Sequence, residues 1–192
     1  MAVIELAACA GFTAIDFETT GSVPGWPSEP WQIGVFRFSA NGTATSSFSS
    51  FLRIPPERPF NRYAPGRHAQ IRDTLSASPT LMEIWEKLSP WLKAGPLVAH
   101  NIGTERTILR AAAPLDRLGP WIDTLELSRR LLPGRGSYAL EDIIPDLGLD
   151  AEVAALAPPG AAPHDALYDA IACGVLLRHF AAGGLAFCEA AQ

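Results

Sequence analysis

The sequence predicts a mixed α/β protein: a sheet whose first strands run antiparallel, with helices packed on it. Three observations carry this. Strand-like apolar runs crowd the first third of the chain, and two of them flank Asn41-Gly42, a strong hairpin signal. From Thr80 onward, helical periodicity alternates with short apolar runs. The composition is globular, with 192 residues, 48% of them hydrophobic, and a net charge of −5. A chain this long buries roughly 70% of its extended surface, so it needs neither a disulfide nor a structural metal to fold. It is too apolar for disorder and reads as one domain over residues 1–192.

The elements follow in order. Phe12 to Phe17 is apolar apart from Thr13 and Asp16 and runs into a Gly/Pro-rich stretch, so it reads as a buried strand ending in a loop. Trp31 to Phe38 is a second strand, and Thr43 to Ile54, rich in Thr, Ser and Phe, is its hairpin partner. Pro55 to Ser78, with many Pro and Arg, reads as a structured surface connection. Thr80 and Glu83 form a capping box, and Ile84, Leu88, Trp91 and Leu92 then recur at helical spacing as far as Gly95. Pro96 to Ala99 is a short strand and Thr104 to Ala113 a helix. Trp121 to Asp123 is a short strand, followed by a helix over Thr124 to Leu132. Ser137 caps a helix that Pro145 limits. Ala151 to Pro163, rich in Ala and Pro, reads as a loop, and Ala166 to Phe180 as the last helix.

The compartment follows from what the chain lacks. Cys9, Cys173 and Cys188 are far apart and form no metal-ligand spacing, which fits reduced thiols in a cytoplasmic protein. No apolar run reaches the roughly 18 residues of a membrane span. Leu6-Ala7-Ala8-Cys9 has the look of a lipoprotein cleavage box, but no basic segment precedes it and Glu5 interrupts the run. It reads instead as a leading strand.

The carboxylates carry the chemistry. Asp16 and Glu18 stand two apart on a strand, so both side chains share one face while Ile15 and Phe17 take the other. Paired carboxylates repel unless a cation lies between them, and an all-oxygen ligand set favours Mg²⁺ or Mn²⁺. His164 and Asp169 stand at the opening of the last helix, with Asp169 expected in its second turn and facing the strand acids. Glu105 falls in the first turn of the helix after His100-Asn101, where an acid also complements the helix dipole. Each feature alone is weak, since solvated acids and helix caps give the same patterns.

Taken together and in order, the three clusters resemble the DnaQ-like, DEDDh family of 3′–5′ exonucleases. Asp16-Phe17-Glu18-Thr19-Thr20-Gly21 resembles its first motif, Val98-Ala99-His100-Asn101 with Glu105 its second, and His164 with Asp169 its third. Ile33-Gly34, Asp123-Thr124-Leu125 and Ser137-Tyr138-Ala139-Leu140-Glu141 are smaller echoes. The resemblance implies an RNase H-like five-stranded sheet, two divalent cations (Mg²⁺ or Mn²⁺) and hydrolysis from the 3′ end of single-stranded DNA or RNA. By motif position Asp16, Glu18, Glu105 and Asp169 are metal ligands and His164 is the general base, a role suited to an imidazole near neutral pH. The resemblance also implies that Thr19 and Thr20 would lie beside the terminal nucleotide, and it makes His68 a further substrate candidate. The second-motif acid is Glu105 where the family usually has Asp, and Thr104 precedes it where an aromatic is usual.

Two rival readings stay open: a catalytically weakened nucleic-acid-binding module of the same fold, and a proofreading subunit on a polymerase. The short segment after Phe180 favours a free-standing enzyme over a tail-docked one; a homodimer also stays open. Trp26 is a candidate for stacking on a base, whereas Trp85 and Trp91 read as core. The acidic balance argues against simple electrostatic binding of nucleic acid. Two bound cations would bring the charge from −5 to about −1, which predicts a short footprint and a weak salt dependence. Arg58 to Arg72 and the Arg129-Arg130 and Arg135 cluster are the expected phosphate contacts.

Overall fold

The structure, a computed structural model, describes residues 11–40 and 46–182. The Asn41-Gly42 turn, the segment with Cys9 and the stretch from Gly183 through Cys188 lie outside the described residues. Five strands, β1 (Phe12–Thr19), β2 (Pro30–Phe38), β3 (Ser46–Phe51), β4 (Leu97–Ala99) and β5 (Trp121–Asp123), form one sheet in the order β3-β2-β1-β4-β5. The pairs β1–β2 and β2–β3 are antiparallel, and β1–β4 and β4–β5 are parallel. This is the mixed sheet with an antiparallel opening that the sequence predicts. The helices are α1 (Arg72–Ala77), α2 (Trp85–Leu92), α3 (Gly103–Ala112), α4 (Thr124–Leu131), α5 (Leu140–Asp146), α6 (Asp150–Leu156) and α7 (Ala166–Ala182). None is long and apolar enough to cross a membrane.

Alternation along β1 sorts two cores. Phe12 and Ala14 join Phe36, Phe38 and Val98 against α7, while Ile15 and Phe17 join Ile33 and Val35 against α2 and α3. Strand parity therefore sends Asp16 and Glu18 to the α7 side, as the sequence predicts. The carboxyl ends of the parallel strands β1 and β4 lie together, the usual place for a site in an open α/β sheet.

One glycine sets how close α7 comes. Gly34 of β2 stands opposite Asp16, and a Cβ there would lie 2.3 Å from the Ala166 carbonyl carbon and the Leu167 nitrogen. Real Cβ atoms do not approach backbone so closely, so only glycine lets the first turn of α7 rest on the sheet beside Asp16. Helix α7 buries residues on every side, from Ala166 to Phe180. A helix apolar all round belongs in the middle of a layer, and here it lies between the sheet and α4 to α6.

Several expectations change. The Ala151-to-Pro163 segment is not all loop. It contains most of α6, because Ala favours helix and Val153 is fully buried against the α7 core. The Thr80–Glu83 box forms, with the Thr80 N–H donating to Glu83 Oε2 at 2.6 Å and the Glu83 N–H to Thr80 Oγ1 at 3.2 Å. It closes a turn over 81–84, and α2 proper begins only at Trp85. Strand β3 is shorter than the expected Thr43–Ile54 run, and 41–45 lie outside the described residues. Pro55 to Ser78 is no mere surface connection, because Arg58 within it is fully buried.

Candidate active site

Three elements bring the site together. The end of β1 supplies Asp16 and Glu18, the start of α3 supplies Glu105, and the start of α7 supplies His164 and Asp169. Helix α7 begins at Ala166, so Asp169 lies in its first turn, not the second. The reason is Asp165, whose Oδ1 accepts from the N–H groups of Leu167 at 3.1 Å and Tyr168 at 3.4 Å and so caps the helix. Its Oδ2 accepts from Gln32 Nε2 at 3.0 Å, tying the cap to β2.

Asp123 positions Glu105. Its carboxylate caps α4 through Leu125 N–H at 2.9 Å and also accepts from the N–H groups of Asn101 at 3.0 Å and Ile102 at 3.2 Å. The loop between β4 and α3 is thus pinned to the end of β5. His100 braces the same corner, with Nδ1 3.0 Å from Thr124 Oγ1 and Nε2 2.7 Å from the Tyr138 carbonyl. Burial holds its pKa below the usual imidazole value. Two of the echoes seen in the sequence, at Asp123 and Tyr138, are therefore parts of the scaffold.

Ligand atoms of Glu18, His164 and Asp169 lie within 4.8 Å of one another. His164 adopts a left-handed backbone (φ 65°), a conformation that costs about 1–2 kcal/mol for a non-glycine residue. Its N–H donates to Asp169 Oδ2 at 3.0 Å, so the turn that carries the imidazole is fastened to the carboxylate it stands beside. On its outer side, Nε2 is 3.1 Å from Glu141 Oε2 at the start of α5. That partner was hidden in the sequence, where Glu141 is only the end of a motif echo.

The four carboxylates are crowded and desolvated. Burial, then repulsion from Asp169, Glu105, Glu18 and Asp165, pushes the Asp16 carboxyl well above the usual range. Burial, then Asp169 and Asp165, raises Glu18 to about 8. Burial raises Asp169 to about 6, even though the His164 N–H favours its charged form. Glu105 is only 2% exposed and burial raises it to about 7, against hydrogen bonds from its own N–H and that of Phe17. Its Oε2 is buried with no partner. No Lys or Arg faces any of these four carboxylates among the described residues. Crowded, desolvated acids and an orphaned carboxylate oxygen are what a divalent cation with oxygen ligands would satisfy. The residues present fit such an ion.

The candidate substrate residues fare differently. Thr20 is fully occupied. Its hydroxyl accepts from Arg58 Nη2 at 2.9 Å and the Glu29 N–H at 3.0 Å, while its own N–H and C=O bond to Glu29 and Asn61. These bonds make it an organiser of the loop. His68 stacks on Phe60 with ring centroids 4.2 Å apart and has Nε2 3.1 Å from the Ala64 carbonyl. Thr19 is partly exposed beside the irregularity that ends β1. Trp26 is 40% exposed, with the Arg58 guanidinium over its ring at 5.3 Å.

The comparisons bear on the family and the fold. The RNase_T exonuclease family model matches residues 13–177. A DNA polymerase III PolC-type from Bacillus cereus is 28% identical over 140 residues, which cover 71% of this chain and 9% of that protein. The chain thus spans about a tenth of that relative's length. Among solved structures, a 3′-exonuclease in 3′-end-specific recognition of a histone mRNA stem-loop superposes with a TM-score of 0.66 at 17% identity, covering 90% of this chain and 82% of that one. The Mg²⁺- and Mn²⁺-bound form of S. pombe Pop2p does so with a TM-score of 0.64 at 13% identity, covering 100% of this chain and 90% of that one. Such distant likenesses carry the fold, and the family match carries more: the chain belongs to the RNase T-type exonucleases, the DnaQ-like family with an RNase H-like sheet.

Proposed function

We propose that the chain is a metal-dependent 3′–5′ exonuclease in which Asp16, Glu18, Glu105 and Asp169 hold two divalent cations, Mg²⁺ or Mn²⁺, and His164 is the general base. The observation that carries this reading is the convergence of Glu18, His164 and Asp169 within 4.8 Å, beside Asp16, whose carboxyl the neighbouring acids and burial push up. The ions of the Pop2p structure support the choice of metal. Bound cations would stabilise charge on the attacking and leaving oxygens of a phosphodiester.

The chain's own residues do the rest. Glu141 accepts the Nε2–H of His164, which selects the tautomer with Nδ1 unprotonated. That nitrogen takes a proton from the attacking water. Asp169 Oδ2 accepts from the His164 backbone N–H and so fixes the turn that carries the imidazole. Thr19 would lie against the terminal nucleotide.

The test is release of mononucleotides from end-labelled single-stranded DNA, duplex DNA and RNA with Mg²⁺ or Mn²⁺. Cleavage from the 3′ label is expected. Asp16→Ala should lower it by a factor on the order of 10³, the equivalent of several kcal/mol of lost charge stabilisation. Activity that survives Asp16→Ala sinks the mechanism. Wild-type binding without cleavage leaves the non-catalytic binding module standing instead.

A further inference from the structure

The phosphate contacts expected from the sequence are largely engaged elsewhere. Arg58 is buried, and Arg72 Nη2 donates to the carbonyls of Pro56 and Arg58. Arg130 pairs with Glu126 at 2.7 Å and Arg135 with Asp146 at 2.5 Å. A different basic surface is open. Arg106 and Arg110 on α3, and Arg117 in the segment after it, are exposed. Together they line a cavity of about 340 Å³ with Trp121 behind it. A second hollow of about 510 Å³, lined by Gly103, Thr107 and the same Arg106 and Arg110, continues it along the helix. Among the described residues, no carboxylate pairs with any of these three guanidinium groups. The one acid in the lining, Asp116, is neutralised by Lys93 at 3.0 Å.

Position gives this face its meaning. Arg106 follows Glu105 directly, and Arg110 lies one turn farther on, about 5–6 Å away between Cβ atoms. Glu105 and Leu109 turn inward while Arg106 and Arg110 turn out. The basic track therefore starts at the end of α3 that carries the cleft acid and leads away from it. A chain with net charge −5 and four crowded acids at its cleft repels a polyanion there, so a local cluster of three cations is where a phosphate backbone can be held.

We propose that Arg106, Arg110 and Arg117 bind the nucleic-acid backbone at phosphates remote from the scissile bond. The inference rests on the exonuclease reading for its ligand, and its test is kept apart from cleavage. In the Asp16→Asn background, binding of a labelled 20-nucleotide single strand and of a trinucleotide is followed by fluorescence anisotropy across a NaCl series. Arg106→Gln/Arg110→Gln/Arg117→Gln should weaken binding of the 20-mer at least tenfold at low salt, and weaken the trinucleotide less. The slope of log K against log[salt] should flatten by about 2, from three contacts at about 0.7 each. The charge-matched comparator is Arg130→Gln/Arg135→Gln/Arg178→Gln, whose residues are already ion-paired. An equal loss there, or an unchanged slope in the α3 variant, overturns the proposal. So does polyglutamate displacing the 20-mer as well as unlabelled strand does, which assigns the face to an acidic protein. If the wild-type chain cleaves and the slope does not move, only this inference fails. If the slope moves and nothing is cleaved, the exonuclease reading fails and the face stands.

Discussion

Two sets of buried charge flank the end of β1, and they are built in opposite ways. On one side Arg58 is fully buried and saturated. Its guanidinium donates to Glu29 Oε1 at 3.2 Å, to Thr20 Oγ1 at 2.9 Å and to the carbonyls of Pro27 and Pro59, and it covers the Trp26 ring. On the other side Asp16, Glu18, Glu105 and Asp169 are crowded together with no cation and no hydrogen-bond partner for Glu105 Oε2 among the described residues. Both sets violate the rule that charge stays in water. The saturated one has its whole explanation inside the chain, so it reads as structure. The unsaturated one needs something from outside, so it reads as function.

The largest expected effect tests the saturated half. Arg58→Met keeps the bulk but leaves Glu29 and several carbonyls without a donor. Water can take up Glu29, but each buried carbonyl or hydroxyl left without its donor costs about 1–3 kcal/mol, for a total of about 3–5 kcal/mol. For a chain of this size the thermal midpoint should fall by on the order of 10 °C. The loop from Thr20 to Glu29 should also become the first site cut by protease, since Arg58 ties it to Pro59 and Thr20. An Arg58→Met chain as stable as wild type would remove the contrast, because burial would then say nothing of structural need.

The next effect tests the unsaturated half through pH and metal. A carboxylate whose folded pKa is raised still holds its proton in the folded chain where the unfolded chain has lost it. Stability of the metal-free chain must then fall as pH rises through that window. The window runs from 4.5 to about 8 for Glu18, from 4.5 to about 7 for Glu105 and from 3.8 to about 6 for Asp169. Added Mg²⁺ or Mn²⁺ should reverse the loss, by about 2.7 kcal/mol at a hundredfold excess over Kd, and should do so far more at pH 8 than at pH 5. Calorimetry at both pH values, with and without metal, reads this directly. In Glu105→Gln the metal-free decline should be shallower, and a decline of undiminished steepness would show that Glu105 is not part of the strained set.

The sequence showed the acids but not what makes them a site. The alternation of β1 and the apolar surroundings of Asp169 were enough to bring Asp16, Glu18 and Asp169 to one face, because period-two and helical patterns are local. Gly34 could be seen only as a motif echo, since its reason is a backbone contact with Ala166 across more than a hundred residues. The partners of Thr20 and His68 were out of reach for a related cause. Whether a hydroxyl or an imidazole is free depends on partners that arrive from Arg58 and Phe60, and no local pattern encodes them. The basic face of α3 was missed because its arginines are spread through an ordinary amphipathic helix and the loop after it.

The smallest effect bears on Glu141, which stands between the two classes of charge. Its carboxylate is half in water, yet it reaches the one histidine of the acidic set at 3.1 Å. If it were a mere surface ion pair, its removal would change stability by less than about 1 kcal/mol and leave turnover alone. If it positions His164, its loss should lower kcat by about tenfold, the low end of what such outer partners contribute to a site, with KM unchanged. The choice of substitution separates charge from geometry. Glu141→Gln keeps an amide oxygen that still accepts the Nε2–H, so it should retain most of the turnover. Glu141→Ala keeps neither charge nor acceptor and should show the full loss, with Glu141→Asp recovering part of it. Equal losses in Gln and Ala would mean that the negative charge matters more than the tautomer it selects. No loss in either would return Glu141 to the surface and leave His164 held only by Asp169 and by its own strained turn.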